Sequence, residues 1–379
     1  MLKNVWIITD QERYDTKQYF SEKFAEALKL QGIRVEIIPF QTLPQKLQQA
    51  RPDLLFSFFR LYGSDLSDHF WERLQIPFWF ALLNPARGRS EMFSLSRYTL
   101  LSCVDEFDCE YVRSRGLDKV FFWGHAVDKN LHFDEAEKRP LDFLYAGTFY
   151  DPQAIEQLWE QHSPKERQAI QESIELYQHD ESVTEVQAVE SAMQRFGLSP
   201  KAKNLFIKYL DNYCRGIDRI HLIKAASQVG IVSIYGDATN WPPGIRGWDK
   251  YFANNKNIIV HRSIPFGEVL QLMKRSKISL NSMPFFKSGT HERIFSAAAC
   301  GSLNVTTENL WLKRHFRDGE DVLFYRMGHW TNLIDKMDYY LTHEEERKAL
   351  SASCRAKVMA NHTWDHRVDE FMQVWKRLG

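Results

Sequence analysis

The chain has 379 residues, of which 44% are hydrophobic, and its 49 Lys and Arg residues are balanced by 49 Asp and Glu residues. This length exceeds one ordinary hydrophobic core and fits two α/β domains of roughly 100–200 residues each. A formal net charge of zero excludes the strong positive field that draws proteins to nucleic acid. We therefore expect two domains and no nucleic-acid partner, and a peripheral membrane contact stays open.

Two further features of the sequence bear on its compartment. No apolar run approaches the roughly 20 residues that a membrane-spanning helix needs, and the amino terminus lacks a basic region followed by an apolar one. The five cysteines are odd in number and form neither a C-x-x-C pair nor a zinc-finger spacing. These patterns predict reduced core thiols and a cytoplasmic protein.

The first 128 residues alternate short apolar runs with amphipathic stretches, a pattern typical of a parallel sheet with helices on its faces. The clearest helical stretch, Lys17–Gln31, ends at Gly32 as a helix C-cap would. The predicted strands are Val5–Thr9, Arg34–Phe40, Leu54–Phe59, Phe78–Leu83, Thr99–Val104 and Val120–His125. We predict a Rossmann-like domain over residues 1–135.

A second domain is predicted over residues 136–360. Its first strand, Phe143–Gly147, is followed by a polar stretch with helical periodicity over about 152–228, which we interpret as a helical insertion. Alternation then resumes with strands at Val232–Gly236, Ile258–His261, Ile278–Ser282, Leu303–Thr306 and Val322–Tyr325, and with helices at Phe266–Arg275, His291–Cys300 and Trp311–Phe316. The fold class predicted is therefore α/β, with two doubly wound sheets.

Residues 361–379 form a separate tail in this interpretation. The last helix, about Asp365–Arg377, lies well beyond the strands of its own sheet. We therefore expect it to cross back to the amino-terminal domain.

Ligands of doubly wound sheets bind at the carboxyl ends of the strands, where helix N-termini present open N–H groups. The best candidate there is the segment 285–293, which precedes an alanine-rich helix. Gly289 lets the backbone approach a ligand, Ser288 or Thr290 can cap the helix, and the cationic side chains suit a diphosphate. Those side chains belong to Lys287, His291 and Arg293. The alternative is a capped helix whose basic residues are only solvated.

The run from Arg293 to Thr307 resembles the donor-site signature of group 1 glycosyltransferases, especially the branch related to spore-maturation protein CgeB. That branch tends to show Arg-x-Phe-Glu, a run of small residues and Cys-Gly, then an apolar strand that ends in Thr. Weaker agreement extends to residues 124–128, 143–148, 318–322 and 362–367. The resemblance implies a two-lobed GT-B fold and transfer of a sugar from a nucleotide-diphosphate donor to an acceptor in the cleft between the lobes.

One departure from the branch concerns the donor. Many relatives carry a Glu directly after the Phe of the donor helix, where it would bind the ribose hydroxyls, and this chain has Ser296. Either Ser296 makes a weaker contact, or a neighbour such as Glu292 or Glu308 takes this role. The resemblance also implies that the nucleobase lies near 261–265, which includes Arg262, and it adds the strand-end glycines Gly147 and Gly236 to the donor-binding residues. The base and the sugar stay open.

No Asp-x-Asp motif occurs in the chain, so we expect no catalytic metal and no bound cofactor, with cationic side chains facing the leaving diphosphate. If the enzyme inverts, a base must remove a proton from the acceptor hydroxyl. The candidates at strand ends of the first domain are Asp10, Asp105 and His125. Each has an ordinary alternative as a helix cap or a satisfied buried histidine.

The loop after the fourth strand holds Arg87 and Arg89, which could touch an acceptor or a phosphate or stay solvated. The acceptor itself, whether glycan, lipid-linked or protein, is not indicated. Two other functions remain open: a nucleotide-sugar epimerase, and a noncatalytic nucleotide- or carbohydrate-binding protein, an alternative that the Ser at position 296 leaves open. No strand is followed by G-x-G-x-x-G and no G-x-x-x-x-G-K-[ST] occurs, which argues against a dehydrogenase and a P-loop enzyme.

Overall fold

The computed structural model describes residues 2–10, 12, 14–59, 72–87, 96–242 and 246–378. The chain divides into two compact units. The first consists of Met1–Leu131, Pro265–Gly267 and Val358–Gly379, and the second of His132–Ile264 and Glu268–Lys357. Each unit has its own sheet, so each is described by itself.

The first unit contains, among the described residues, a parallel sheet of six strands in the order β2-β1-β3-β4-β5-β6. The strands are β1 Asn4–Thr9, β2 Arg34–Pro39, β3 Leu54–Ser57, β4 Phe78–Ala81, β5 Thr99–Cys103 and β6 Val120–Phe122. Its helices include α1 Thr16–Leu30, α2 Leu43–Gln49 and α3 Glu106–Ser114, together with the carboxyl-terminal helix. The strands β3, β4 and β5 are buried throughout, as expected for a sheet covered on both faces.

The carboxyl-terminal helix packs on α1 in this same unit. Aromatic rings join this helix to α1 and to the sheet, because Trp364 contacts Phe24 of α1 with centroids 6.2 Å apart and Phe371 stacks on Trp79 of β4 with centroids 4.0 Å apart. Trp123 Nε1 also donates a hydrogen bond of 2.9 Å to the carbonyl oxygen of Arg367. The last residues of the chain are thus part of the first hydrophobic core.

The second unit contains a parallel sheet, also of six strands among the described residues, in the order β12-β11-β10-β7-β8-β9. The strands are β7 Leu141–Ala146, β8 Val232–Tyr235, β9 Ile258–His261, β10 Ser276–Asn281, β11 Leu303–Thr307 and β12 Leu323–Tyr325. The chain runs outward from β7 to β9 and then crosses to β10, so strand order reverses between β7 and β10. Ligands of open α/β sheets bind at such a switch point, outside the carboxyl ends of the strands.

The helices of the second unit begin with four that lie between β7 and β8: α4 Pro152–Trp159, α5 Pro164–His179, α6 Glu185–Arg195 and α7 Lys203–Ala226. Then follow α8 Trp248–Tyr251, α9 Phe266–Lys274, whose first residues belong to the first unit, α10 Glu292–Ala299, α11 Leu310–His315, α12 Ile334–Thr342 and α13 Glu344–Asn361. The carboxyl-terminal helix is α14, Trp364–Leu378.

Helix α7 is the one member of this helical stretch that we treat as core. Its residues Ile220, Leu222, Ile223 and Ala226 are buried among Phe143, Ile234 and the neighbouring strands. It therefore serves as the crossover helix that a β7 to β8 connection requires in a parallel sheet. The stretch 152–228 is largely helical, and its last helix, α7, belongs to the helical layer that packs on the sheet.

Two sheets of parallel strands flanked by helices confirm the predicted fold class of two Rossmann-like domains. Helix α10 illustrates how the local sequence produces this packing, because Ile294, Phe295 and the three alanines are all buried. The small alanine side chains let this helix lie close against β10 and β11.

Candidate functional site

The loop that connects β10 to α10, residues 282–291, is held rigidly by hydrogen bonds. The backbone amide of Met283 donates a hydrogen bond of 3.0 Å to Thr307 Oγ1 at the end of β11. The Asn309 amide nitrogen donates to two loop carbonyls, that of Phe286 at 3.1 Å and that of Gly289 at 3.0 Å. The predicted donor loop is therefore a fixed, buried segment at the carboxyl edge of the second sheet.

Lys287 in this loop directs its charge toward helix α5. Its side chain is buried, with Nζ 3.1 Å from the Tyr177 carbonyl oxygen and 3.5 Å from the centroid of the Tyr177 ring. The Tyr177 hydroxyl in turn donates 2.5 Å to the carbonyl oxygen of Pro284. Of the neighbouring predicted residues, Thr290 is fully buried and Ser288 Oγ accepts from Arg314 Nη2 at 3.4 Å. Tyr177 of helix α5 thus contacts the loop at both Lys287 and Pro284.

The first turn of α10 carries the other predicted donor-binding residues. His291 Nδ1 lies 2.5 Å from Glu292 Oε2, and burial lowers the pKa of His291 to about 4. The Arg293 guanidinium is 3.5 Å from Glu292 and donates 3.4 Å to Asn281 Oδ1 at the end of β10. Ser296 is buried one turn further along. Arg293 therefore brings positive charge to the β10 side of the switch point.

The two strand-end glycines meet each other. A β-carbon built on Gly236 would lie 2.0 Å from the carbonyl oxygen of Gly147, and that oxygen also accepts a 3.0 Å hydrogen bond from Trp248 Nε1. A β-carbon on Gly147 would lie 2.9 Å from the Tyr145 hydroxyl. Both glycines thus have packing reasons of their own, beside the donor-binding role that the sequence predicts for them.

The region predicted to bind the nucleobase follows β8 and β9. Arg262 is exposed there, the rings of Tyr235 and His261 stack with centroids 4.3 Å apart, and Ser263 Oγ donates to Asp237 Oδ2. These groups share the carboxyl edge of the sheet with the loop and α10.

Sequence reasoning missed two arginines that α7 brings to this edge. Arg215 and Arg219 are one helical turn apart and both are buried. Arg215 Nε pairs with Asp211 Oδ1 at 2.7 Å, and its guanidinium lies 3.6 Å from the Phe285 ring centroid. Arg219 Nη1 donates 2.5 Å to the carbonyl oxygen of Thr148, just after β7.

Arg219 differs from Arg215 in its remaining donors. Its Nε is buried and has no hydrogen-bond partner among the residues that the structure describes, and no ion pair of Arg219 is found there. Two arginines spaced by four in a helical stretch, beside buried-type apolar residues, were the available signal.

Asp218, next to Arg219, anchors α7 to three strand ends. Its carboxylate is fully buried and accepts from Ser282 Oγ at 2.5 Å, Tyr325 OH at 2.7 Å and Trp330 Nε1 at 2.8 Å. Thr307 Oγ1 adds a longer contact of 3.4 Å. Burial raises the pKa of Asp218 in spite of these donors. The network fixes the rotation of α7 and therefore the direction in which Arg219 points.

The three candidates for the catalytic base lie at separate strand ends of the first unit. Asp10 is exposed and accepts from Gln41 Nε2 at 3.2 Å. Asp105 is fully buried, caps α3 by accepting from the Phe107 amide at 2.9 Å, and forms an ion pair of 3.1 Å with Arg87. His125 is buried, and its carbonyl oxygen accepts from Arg367 Nε at 3.2 Å. Their catalytic role stays a prediction.

Arg87, which we considered for an acceptor or phosphate contact, is buried between Asp105 and Asp108, with Nη1 3.0 Å from the latter. Its guanidinium charge is therefore used to stabilise two buried carboxylates. Arg89 lies outside the described residues.

In the second unit the cations Arg219 and Arg293 flank the ends of β7 and β10, on the two sides of the switch point. Residues 219–373, which begin at Arg219, match a family model described as glycosyl transferase-like. The fold is that of the GT-B glycosyltransferases. No curated protein sequence matches the chain.

Solved structures with the GT-B fold cover nearly the whole chain at low sequence identity. HepE of Anabaena, in complex with UDP-glucose, is 12% identical with a TM-score of 0.54, covering 99% of each chain. A glycosyltransferase of Rickettsia africae is 10% identical with a TM-score of 0.59, covering 99% of this chain and 98% of that one. Sucrose-phosphate synthase of Thermosynechococcus elongatus is 11% identical with a TM-score of 0.59, covering 99% of each. At these identities the likeness shows the fold.

The described residues contain no helix that is both long and apolar enough to cross a membrane. They also contain no group of three or more His, Cys, Asp or Glu side chains arranged to hold a metal ion.

Proposed function

We propose that this protein transfers a sugar from a nucleoside diphosphate donor, and that the donor's diphosphate binds at the carboxyl ends of β7 and β10. The observation that carries the proposal is Arg219, a buried guanidinium at the switch point whose Nε has no partner in the described part of the chain. A buried charge without a counter-ion is costly, and an anionic ligand offsets that cost. The guanidinium fork suits phosphate.

The positions of Arg219 and Arg293 support a diphosphate in particular. Arg219 reaches the loop after β7 and Arg293 reaches the end of β10, so two positive charges meet two adjacent phosphoryl groups. When the bond to the sugar breaks, negative charge accumulates on the departing diphosphate, and fixed cations lower the barrier by stabilising it. This role requires no metal, as the sequence predicts.

The nucleoside proposed for the donor is supported by a protein of the same fold. HepE, which shares the fold, was solved with UDP-glucose. We propose a nucleotide sugar as the donor here, with the base near Tyr235 and His261 and with Ser296 or Glu292 at the ribose. We also propose that the family resemblance extends to the CgeB-like branch, supported by Arg293, Phe295 and the Cys300-Gly301 pair.

The decisive experiment is a thermal-shift screen of wild-type protein with UDP, GDP and ADP, followed by titration calorimetry with the stabilising nucleotide. A ligand at 100 times its dissociation constant adds about 2.7 kcal/mol of stability, which is easily seen. Arg219→Met should weaken binding about 10-fold to 100-fold, because a hydrogen bond to a charged group contributes about 1.5–3 kcal/mol.

The matched control is Arg195→Met, which removes an exposed guanidinium from a surface pair with Glu172 in the same unit. It should leave nucleotide affinity unchanged. If no nucleoside diphosphate stabilises the wild type, or if Arg219→Met binds as tightly as the control, the proposal fails. Incubation with nucleotide sugar alone then separates transfer from epimerisation, since an altered sugar on an intact nucleotide marks an isomerase.

A further inference from the structure

Tyr145, near the end of β7, has a buried hydroxyl that nothing in the described part of the chain satisfies. The side chain is fully buried, and its hydroxyl oxygen makes no hydrogen bond to any described residue. Buried tyrosine hydroxyls normally find a partner, because an unpaired polar group inside a protein is costly. A second observation is the position of the hydroxyl, which lies at the switch point of the sheet.

Gly147 makes room for this hydroxyl. The two residues are two positions apart, so they face the same side of an extended chain, and a β-carbon at 147 would lie 2.9 Å from the Tyr145 oxygen. Gly236 then supports the Gly147 carbonyl from the neighbouring strand end. The local backbone is thus arranged around the tyrosine hydroxyl.

Burial and charged neighbours determine whether the Tyr145 hydroxyl keeps its proton. Burial raises the pKa of Tyr145, while the positive charges of Arg219 and Arg293 lower it and Asp218 and Tyr150 raise it. The hydroxyl therefore keeps its proton at neutral pH and is available as a donor. Arg219 Nε is also buried and has no partner among the described residues, and unlike the tyrosine hydroxyl it can only donate.

We propose that the Tyr145 hydroxyl contacts the ligand, donating a hydrogen bond to a phosphoryl oxygen of a diphosphate beside Arg219. The inference rests on the proposed function for the nucleotide but assigns a residue that neither the sequence motifs nor the family match single out. The tyrosine O–H and the Arg219 N–H are both available to donate, and together they fit an acceptor-only group such as a phosphoryl oxygen.

Contact with the ligand requires a neighbouring side chain to turn, because the hydroxyl is enclosed in this structure. Arg219 is suited to this, since it is a long side chain whose Nη1 bonds to a single backbone carbonyl, that of Thr148. Its guanidinium would remain close to the phosphate after turning. As charge builds on the leaving diphosphate, the tyrosine hydrogen bond strengthens, so its loss should lower kcat as well as affinity.

The test compares Tyr145→Phe with Tyr325→Phe, each of which removes one hydroxyl from a buried tyrosine of the second unit. Tyr325 OH donates 2.7 Å to Asp218 Oδ2 and contacts Thr307 Oγ1 at 3.0 Å, so its loss should lower Tm. Loss of the unpaired Tyr145 hydroxyl should leave Tm unchanged or raise it. Tyr145→Phe should nevertheless bind UDP and inorganic pyrophosphate about 10-fold more weakly.

The outcomes are separable. Unchanged affinity of Tyr145→Phe for both ligands overturns the inference, and so does a fall in its Tm like that of Tyr325→Phe, which would show that the hydroxyl serves the fold. If the wild type binds pyrophosphate but no nucleotide, and Tyr145→Phe weakens pyrophosphate binding, the inference stands while the proposed donor class fails.

Discussion

Gly236 and Gly147 lie so close that the carbonyl oxygen of Gly147 occupies the place where a side chain at position 236 would begin, 2.0 Å from an ideal β-carbon. Backbone of two different strand ends is therefore in direct contact at the switch point of the second sheet. Because the contacting atom belongs to the backbone, it cannot move aside as a flexible side chain would.

Gly236→Ala should therefore destabilise the second unit, by about 1–3 kcal/mol or more as overpacked sites do, and should also displace the Gly147 turn. Urea denaturation of the purified variant measures the change. Gly267→Ala is the control, since a β-carbon there meets nothing within 4 Å and Ala favours the helix α9 in which it lies. A Gly236→Ala variant as stable as Gly267→Ala would contradict the close contact.

His291 should make the folded protein sensitive to mild acid. Burial lowers its pKa to about 4, whereas an unfolded histidine titrates near 6.5. Since the unfolded chain binds the proton more tightly, stability is present above pH 6.5 and is lost as pH falls toward 4. Linkage gives a loss of about 2 kcal/mol between pH 7.5 and pH 5.

Replacing the histidine tests this component. The free energy of unfolding of His291→Asn should fall less than that of the wild type between pH 7.5 and pH 5, when both are measured in urea. His343→Asn, at an exposed position, should retain the wild-type acid loss. An identical pH slope for His291→Asn and wild type would show that this histidine does not titrate as described.

Asp218 should be among the most sensitive positions of the second unit. In Asp218→Ala the Trp330 N–H and the hydroxyls of Ser282 and Tyr325 lose a buried acceptor, so we expect destabilisation on the order of 3–5 kcal/mol. Asp218→Asn should be milder, because its amide oxygen still accepts from Trp330 and the hydroxyls can rotate to accept from its amide nitrogen.

The control for this network is Asp338→Ala, an exposed aspartate on α12, for which a change within about 0.5 kcal/mol is expected. Equilibrium unfolding of the three variants gives the comparison. If Asp218→Ala unfolds at the same denaturant concentration as Asp338→Ala, the carboxylate does not support α7.

Much of the fold could be predicted from local pattern. Apolar runs bounded by turn residues placed every strand of both sheets to within a few residues, as with Ile278–Ser282 against the observed Ser276–Asn281. Alternation of strands and helices predicted two doubly wound sheets, which the structure confirms. These features depend on residues close together in sequence, so a single sequence contains them.

The charges of the candidate site could not be assigned in this way. Lys287 and Arg293 looked equivalent in sequence, but the structure turns Lys287 onto Tyr177 and sets Arg293 against Asn281. Tyr177 lies more than a hundred residues away on α5. Which groups surround a cation thus depends partly on such distant neighbours, which periodicity does not identify.

The sequence by itself determined the order of strands and helices and the position of the candidate loop before α10, because hydrogen-bond periodicity, caps and side-chain volume act over a few residues. Only the tertiary structure decided that α7 packs as a core helix and carries Arg219 to the end of β7, where its charge acts on the Tyr145 hydroxyl. Burial and pairing of charge are long-range properties, set by which segments the completed sheet brings together.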